Sequence, residues 1–292
     1  MEEDRSRPPT ICIVGVGLMG GSLALAWRRA QFPARIVGVG RRPEPLEEAT
    51  RRGALDAWTH DLPAAVSESS LVILGAPVGA ILSLLPEIGR CATPGTMIMD
   101  LGSSKRAICE AMAALPKGLE PIGGHPLCGK ETAGFEASDA NLFQDRPFVL
   151  CPLERTAPAT LDRARQLVKA SGARPVVLDP EQHDRAVAAI SHMPYLLAAS
   201  AVLAVSEHAD QSALLLASSG FRDTTRLASS DLRMMLDTLL TNRDAVMGWL
   251  DLELASLAEM RALLQSGDNA KLEARLASAR SARAEISDCA RW

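Results

Sequence analysis

The chain has 292 residues, 47% of them hydrophobic, and a formal net charge of −4 at pH 7. This length can bury one large core or two modest ones, and the slight acidic excess excludes an overall basic surface for nucleic acid. The apolar run at residues 71–86 is too short to span a bilayer, and the charged N-terminus lacks a signal-peptide core. We therefore expect a cytoplasmic protein with neither a nucleic-acid partner nor a membrane segment.

The first part of the chain alternates short β-branched runs with helical segments. The runs predict strands at residues 11–14, 35–39, 71–74, 97–100, 148–151 and 175–178. Helical spacing covers residues 45–52, 78–89, 105–114 and 160–171. This alternation is typical of a parallel sheet covered by helices on both faces. We predict a doubly wound α/β domain of the Rossmann type over residues 1–180.

Beyond Asp179-Pro180 the strand-like runs end, and Ala, Leu, Ser and Met recur with helical periodicity. Helices are predicted at residues 181–207, 211–218, 231–265 and 269–290, the last two separated by Ser266-Gly267-Asp268. Helices that are apolar on several faces seldom bury themselves in one small domain. We predict an all-α domain over residues 181–292 that forms a homodimer. The alternative is a self-contained helical bundle.

A glycine fingerprint, Gly15-x-Gly17-x-x-Gly20, follows the first strand and opens a helix. In a dinucleotide-binding turn the first glycine permits a tight bend, the second lets backbone approach the pyrophosphate, and the third lets helix and strand pack closely. We predict that these glycines, with Leu18 and Met19 between them, bind a dinucleotide. The alternative is a merely flexible turn.

The second predicted strand is followed by Gly40-Arg41-Arg42, where an acidic residue would bind the ribose 2′-hydroxyl of NAD. Two guanidinium groups suit a 2′-phosphate instead, so Arg41 and Arg42 favour NADP as the cofactor. The alternative is a solvated arginine pair beside bound NAD.

His125 lies in the stretch Gly123-Gly124-His125-Pro126, which we predict to be a loop and where apolar packing does not explain a histidine. Glycines on one side allow substrate and cofactor to come close. Histidine is the natural acceptor for a hydroxyl proton at neutral pH. We predict that His125 is a catalytic base; the alternative is a structural histidine that stabilises a turn. Residues 120–122 before it are a candidate edge strand.

Six cysteines are scattered without a C-x-x-C pair or metal-ligand spacing, which indicates reduced, mostly buried thiols and no metal. They are Cys12, Cys91, Cys109, Cys128, Cys151 and Cys289.

Three motifs together resemble the prephenate/arogenate dehydrogenase family of tyrosine biosynthesis. They are G-G-H-P-x-x-G-x-E at residues 123–131, S-H-x-P at 191–194 and G-F-R-D-x-T-R at 220–226. The resemblance extends from about residue 11 to residue 243 and leaves no room for an appended regulatory domain. It implies NAD(P)-dependent oxidative decarboxylation of a cyclohexadienyl substrate. The C4 hydride would go to the nicotinamide, and the ring carboxylate would leave as carbon dioxide.

The resemblance also implies roles for individual residues. His125 would accept or polarise the hydroxyl proton, and Ser103 would hydrogen-bond the same region and orient that histidine. Arg226 would hold a substrate carboxylate, a task that suits a planar, permanently charged group. Arg222 is either a second carboxylate ligand or the partner of a nearby aspartate such as Asp223.

Further family positions are predicted to line the substrate site. Glu131 and Asp184 would shape its entrance and charge network, or be ordinary surface carboxylates. His192 precedes a proline that kinks or starts a helix, and it is either a site residue or a buried helix-end residue. Tyr195, the only tyrosine, stands where many relatives have a second histidine. This departure leaves the choice between prephenate and arogenate open.

We therefore expect a prephenate or arogenate dehydrogenase with its active site between a Rossmann domain and a helical domain. Two alternatives stay open. A dehydrogenase of another small hydroxy acid would share the nucleotide domain but commonly use a lysine base. A protein that senses the dinucleotide without turnover would not need His125 or Arg226.

Overall fold

A computed structural model describes residues 8–130 and 132–290 of the chain. The strands are β1 (Thr10–Val14), β2 (Arg35–Val39), β3 (Ala57–Thr59), β4 (Leu71–Leu74), β5 (Met97–Asp100), β6 (Glu120–Pro126), β7 (Pro147–Pro152) and β8 (Arg174–Val177). The helices among and directly after them are α1 (Leu18–Arg29), α2 (Pro43–Arg51), α3 (Leu62–Ser67), α4 (Val78–Cys91), α5 (Arg106–Ala113), α6 (Pro158–Ala170) and α7 (Pro180–Val187).

The remaining helices follow without further strands. They are α8 (Met193–His208), α9 (Gln211–Leu216), α10 (Ser219–Thr225), α11 (Leu232–Thr241), α12 (Arg243–Ser266) and α13 (Asn269–Ala290). A π-helical turn, Ala188–His192, joins α7 to α8, and a 3-10 turn, Arg226–Ser229, follows α10.

The strands form one eight-stranded sheet in the order β3-β2-β1-β4-β5-β6-β7-β8. Neighbouring strands are parallel except β6 and β7, which are antiparallel. The predicted Rossmann-type α/β fold is therefore confirmed, with one antiparallel pair in an otherwise parallel sheet. The prediction that residues 120–122 form an edge strand is wrong, because β6 lies between β5 and β7.

Successive residues of β1 serve opposite faces of the sheet, as side chains of any strand do. Ile11 and Ile13 join the core under α1, whereas Cys12 and Val14 join the core on the opposite face. Trp27 of α1 is fully buried in the first core, and its indole Nε1 donates a hydrogen bond to the Leu167 carbonyl oxygen at 3.0 Å. Apolar residues on both faces thus place the sheet between two helical layers.

The helical part departs from prediction at Asn242, where residues 231–265 form two helices rather than one. α11 ends at Thr241, the next residue Asn242 has a φ of −118° and a ψ of 28°, and α12 begins at Arg243. The Asn242 side chain is buried and donates to the Asp184 carbonyl oxygen at 2.7 Å. This tertiary hydrogen bond accompanies the interruption of an otherwise continuous helical pattern.

The expectation of no membrane segment was based on the apolar run at residues 71–86. The helical run Pro180–His208 contains a longer uncharged stretch. Residues 186–206 contain no Asp, Glu, Lys or Arg. The 29-residue run has an 18-residue stretch with a mean hydropathy of 1.6, of which 22% is buried, so its length and composition would also suit a membrane span. A single such helix is weak support for a membrane segment, because an apolar helix that meets a second chain has the same composition.

The chain divides into two compact units, residues 1–243 and 244–292. The first contains the whole sheet and helices α1 to α11, so the predicted boundary after residue 180 separates sheet from helices but lies inside this unit. The second consists of α12 and α13, which are joined by an ion pair between Glu259 and Arg275 at 2.9 Å. Its apolar side chains include Leu252, Leu257 and Leu264, which are all more than half exposed.

Candidate active site

The turn between β1 and α1 has the geometry that a dinucleotide requires. Gly15 has a φ of +94°, and a Cβ there would lie 2.7 Å from the Gly75 carbonyl oxygen. A Cβ on Gly20 would collide with the Gly15 carbonyl oxygen, whereas one on Gly17 would meet nothing within 4 Å. No side chain caps the start of α1 and its first turn has no acidic residue. The turn therefore fits a pyrophosphate, held by the N–H groups of the helix terminus.

The segment that follows the His125 strand packs against this turn. The Ser138 hydroxyl donates to the carbonyl oxygens of Gly17 at 3.2 Å and Leu18 at 3.4 Å. A Cβ on Gly21 would lie 2.5 Å from the Phe135 ring, so glycine is needed there for close packing. The sequence analysis did not identify Phe135 or Ser138, because nothing local marks either residue.

Three basic side chains lie on the two neighbouring segments that follow the carboxyl ends of β2 and β3. Arg41 and Arg42 are exposed after β2, as the prediction for a cofactor phosphate requires. His60 follows β3, and its Nδ1 lies 2.6 Å from the Gly40 carbonyl oxygen. Since a carbonyl oxygen only accepts, Nδ1 is the donor.

His125 lies on β6, opposite Val149 of β7, and not in a loop as predicted. The two glycines before it allow close packing: a Cβ on Gly124 would lie 2.5 Å from the Asp100 carbonyl oxygen, and one on Gly123 would lie 2.7 Å from Cys109 Sγ. The half-buried imidazole thus belongs to a strand that is held tightly on both sides.

A buried ion pair between Asp100 and Lys105 supports the His125 strand. Backbone pairing of β5 with β6 ends at Met99 and Ile122, two residues before Gly124. Beyond that point Asp100 Oδ1 accepts the Gly124 N–H at 2.9 Å, and Lys105 Nζ donates to the Gly124 carbonyl oxygen at 2.8 Å. Both charged side chains have 0% exposure and pair with each other. They replace sheet hydrogen bonds at the position next to His125.

His125 belongs to a hydrogen-bonded series with two residues of α7. Its Nδ1 lies 2.8 Å from His183 Nε2, and His183 Nδ1 lies 2.7 Å from Asp184 Oδ1. Asp184 is only 2% exposed, and its two carboxylate oxygens also accept the backbone N–H groups of Lys105 at 2.7 Å and Arg106 at 2.9 Å. The structure places Asp184 behind His183, rather than at a site entrance.

The carboxylate sets the proton positions along this series. A carboxylate only accepts, so His183 Nδ1 donates to Asp184, and the Nε2 of a neutral His183 is then an acceptor. His125 Nδ1 therefore donates to His183, which leaves the lone pair on His125 Nε2. Burial lowers the pKa of His125 well below its usual value, and positive charge on His183 when that ring is protonated, on Lys105, and on a protonated His192 lowers it further. His125 is thus a neutral imidazole with Nε2 ready to accept a proton.

Asp184 stays ionised in this series. Burial alone would raise the pKa of its carboxyl group, but hydrogen bonds from His183 and from the Arg106 and Lys105 N–H groups outweigh burial and hold the pKa below its usual range. The same carboxylate therefore orients His183 and accepts the N–H groups where α5 begins.

His192 ends the π-helical turn and is 1% exposed. Its Nδ1 lies 3.2 Å from Asn242 Nδ2. Burial lowers the pKa of His192 to about 4, Asp184 opposes that shift and His183 adds to it. The predicted helix start is confirmed, since α8 begins at Met193. A substrate contact by His192, or by the half-buried Tyr195, stays a prediction.

The remaining predicted substrate residues are placed as follows. Arg226 is exposed at the start of the 3-10 turn. Arg222 Nε donates to Asp223 Oδ1 at 3.0 Å, which favours the local pairing over a second substrate contact. Ser103 is half-buried and precedes α5, and its predicted role stays a prediction. Glu131 lies outside the described residues.

The cysteine in the His125 stretch is no nucleophile. Burial raises the pKa of the Cys128 thiol to about 12, although Arg146 counteracts this shift. All the cysteines whose side chains the structure describes carry free thiols, as predicted: Cys12, Cys91, Cys109, Cys128 and Cys151. Cys289 has no described side chain.

Two family models match the chain in succession. The prephenate dehydrogenase nucleotide-binding domain matches residues 23–177, and the prephenate dehydrogenase dimerization domain matches residues 179–278. A prephenate dehydrogenase of Bacillus subtilis is 32% identical over 263 residues, which cover 89% of this chain and 71% of that protein.

Solved structures show the same likeness. The arogenate dehydrogenase of Synechocystis is 31% identical, with a TM-score of 0.81 over 95% of this chain and 99% of that one. A prephenate dehydrogenase of Aquifex aeolicus, solved with hydroxyphenyl propionate and NAD+, is 27% identical, with a TM-score of 0.90 over 97% of this chain and 100% of that one.

Proposed function

The chain belongs to the prephenate dehydrogenase family, and from that premise we propose that it oxidises prephenate or arogenate with a nicotinamide dinucleotide in tyrosine biosynthesis. The observation that carries the proposal is the series from Asp184 through His183 to His125. It holds a neutral imidazole at the carboxyl end of a sheet strand, the edge at which doubly wound folds bind their ligands. A dinucleotide sensor has no use for such a base.

His125 acts on the substrate hydroxyl. Its Nε2 accepts, or hydrogen-bonds, the hydroxyl proton as the C4–O bond gains double-bond character. His183 accepts the Nδ1–H and so fixes the orientation and tautomer of His125, because its own Nδ1–H donates to the ionised Asp184. When bound, the dinucleotide accepts a hydride from C4.

We propose that the oxidation is coupled to loss of the ring carboxylate. The bond between that carboxylate and the ring breaks, its electron pair enters the ring, and carbon dioxide leaves. The proton held by His125 returns to the ring oxygen, so a phenol is formed and no net proton is released. Aromatisation makes the reaction effectively irreversible. The proposal rests on family membership together with the base at His125.

The substrate carboxylate is assigned to Arg226, and the hydroxyl region to Ser103. A guanidinium forms two parallel hydrogen bonds with a carboxylate, which fixes the orientation of the substrate as well as its charge. Ser103 lies just before α5, close in the chain to Lys105, whose side chain and backbone contact the His125 strand and Asp184.

The enzyme uses NAD or NADP, as a member of its family. We propose a preference for NADP because Arg41 and Arg42 stand at the end of β2, where an acidic residue would otherwise bind the ribose 2′-hydroxyl.

The dimerization-domain match supports a homodimer. Such a dimer accounts for exposed leucines in α12, which would otherwise face water. We also propose a cytoplasmic location, the compartment in which the free thiols stay reduced.

The test is an absorbance assay for the reduced nicotinamide, with prephenate and arogenate each offered with NAD and with NADP. We expect turnover in at least one pairing, with carbon dioxide released in equal amount. Folded protein that binds dinucleotide but turns over neither substrate would overturn the proposal and favour a different hydroxy-acid dehydrogenase or a sensor.

A further inference from the structure

We propose that His60 is a third ligand of the cofactor's 2′-phosphate, and that it makes the choice between NADP and NAD depend on pH. This inference rests on the proposed binding of NADP near Arg41 and Arg42. His60 follows a different strand, β3, and neither the glycine fingerprint nor the arginine pair points to it.

The sheet register brings His60 to the adenosine end of the cofactor site. β3 runs parallel to β2, with Val39 opposite Thr59. The next residues, Gly40 and His60, therefore leave the sheet side by side at its carboxyl edge. In this fold the ribose 2′ position lies at the end of β2, so His60 stands next to the group that distinguishes the two cofactors.

Two contacts hold the His60 ring. Its Nδ1–H donates to the Gly40 carbonyl oxygen at 2.6 Å, and its edge contacts the Trp58 ring at a centroid distance of 5.3 Å. The side chain is otherwise exposed, and Nε2 forms no hydrogen bond within residues 8–130 and 132–290. The fold thus fixes one ring nitrogen and leaves the other for a ligand.

The charges around His60 suit a phosphate. Neither Arg41 nor Arg42 forms an ion pair with another described residue. The carboxylates on the adjoining segments are Glu44, in the first turn of α2, and Asp61. Asp61 Oδ1 accepts the N–H at the start of α3 at 3.0 Å, so it is engaged in capping that helix.

The two protonation states of His60 favour different cofactors. With Nδ1 as donor, a neutral ring offers Nε2 as an acceptor for the ribose 2′-hydroxyl of NAD. A protonated ring offers a second N–H and a positive charge, which suit the 2′-phosphate of NADP. Because protonation adds both a donor and a charge to the ring, acid should favour NADP over NAD.

The experiment is calorimetric titration of wild-type enzyme and His60→Gln with NADP and NAD, at about pH 6.5 and about pH 8. Glutamine keeps a donor for the Gly40 carbonyl oxygen but cannot carry the charge. His208→Gln is the matched control, because His208 is an exposed histidine on α8. We expect His60→Gln to weaken NADP binding about tenfold at the lower pH, as loss of a charge-assisted hydrogen bond does.

NAD affinity should change less than about twofold in His60→Gln, which also shows that the variant is folded. Wild-type selectivity for NADP should fall at the higher pH, and that of the variant should not. Equal loss of both cofactors, or no loss of NADP affinity, would overturn the role of His60. A wild-type enzyme that prefers NAD at both pH values would instead contradict the proposed NADP preference, and the effect of the substitution on NADP affinity would still decide the role of His60.

Discussion

His125 Nδ1 and His183 Nε2 lie 2.8 Å apart, although the residues are 58 positions apart in the chain and belong to a strand and a helix. The contact joins β6, the strand that pairs antiparallel with β7, to α7, the first helix after the sheet. It also fixes which nitrogen of His125 can react, since only one of the two is left with a lone pair. The position of α7 on the sheet is therefore part of the geometry of the proposed base.

Replacement of His125 by asparagine should abolish most turnover. Asparagine cannot accept a proton at neutral pH, and loss of a general base costs about 100-fold to 10,000-fold in kcat. The measurement is kcat by nicotinamide absorbance, with dinucleotide affinity measured in parallel and expected to be unchanged. His208→Asn, at a side chain that is 79% exposed, is the control. Turnover within a few-fold of the wild type would show that another group takes the proton.

The pH dependence of kcat/KM should reflect the neutral state of His125. Burial and the neighbouring charges lower its pKa, so kcat/KM should stay level from about pH 8 to below about pH 6.5 and decline only at lower pH. His183→Gln removes one group that lowers this pKa, yet its amide oxygen still accepts the Nδ1–H. The acid limb should move to higher pH in that variant. An unchanged limb would contradict the coupling between the two rings.

Two glycines of the fingerprint should respond differently to alanine. A Cβ on Gly17 meets no protein atom within 4 Å, so Gly17→Ala should be as stable to denaturant as the wild type. It should nevertheless bind dinucleotide at least about tenfold more weakly, because the added methyl group occupies the space of the pyrophosphate. A Cβ on Gly20 collides with backbone, so Gly20→Ala should lose about 1–3 kcal/mol of stability. Urea unfolding and cofactor titration measure the two effects. Normal cofactor affinity in Gly17→Ala would place the pyrophosphate elsewhere.

Lys105→Met should destabilise the fold strongly. The substitution leaves the Asp100 carboxylate fully buried without its partner, and breaking a buried pair costs about 3–5 kcal/mol. Lys169→Met, at an exposed lysine of α6, should change stability by less than about 0.5 kcal/mol. Denaturant unfolding of both variants makes the comparison. A loss below about 1 kcal/mol at Lys105 would contradict a stabilising role for the buried ion pair.

Two arginines of one motif provide a matched pair. Arg226→Lys replaces a planar fork by a point charge, so KM for the substrate should rise about tenfold. Arg222→Lys should leave KM unchanged, because Arg222 pairs with Asp223 on the surface. Steady-state kinetics with saturating cofactor compare the two. Equal effects at both positions would contradict the role of Arg226 as the ligand of the substrate carboxylate.

Local patterns predicted most strands but not the arrangement around β6. Its sequence, Glu-Pro-Ile-Gly-Gly-His-Pro, is poor in residues that favour strands, and tertiary bonds from Asp100 and Lys105 hold it in the sheet. The antiparallel direction of β7 follows from the connection between residues 127 and 146, whose described residues (127–130 and 132–146) include no helix to carry the chain back for a parallel crossover. β3 escaped prediction because three half-buried residues make no apolar run.

Candidate site residues that stand in a local motif could be named from the sequence, whereas the residues that support them could not. His125 and the glycine fingerprint are marked by their neighbours in the chain. His183 and Asn242 act through contacts across 50 or more positions, so no local pattern assigns them a partner. For the same reason the sequence pointed to Asp184 as a candidate site residue, whereas its burial behind His183 was not foreseen.

The π-helical turn Ala188–His192 determines how the helical run responds to the loss of a residue. A wider turn accommodates an extra residue without unwinding the helix, and such turns occur often at functional sites. Removal of Ile190, whose side chain is 68% exposed, would let the segment close into regular α-helix. The helix after the turn would keep its orientation relative to α7, because the change from π to α geometry takes up the lost residue. The same deletion within α8 would instead rotate every later residue of that helix by about 100°, the angle that each helical residue contributes.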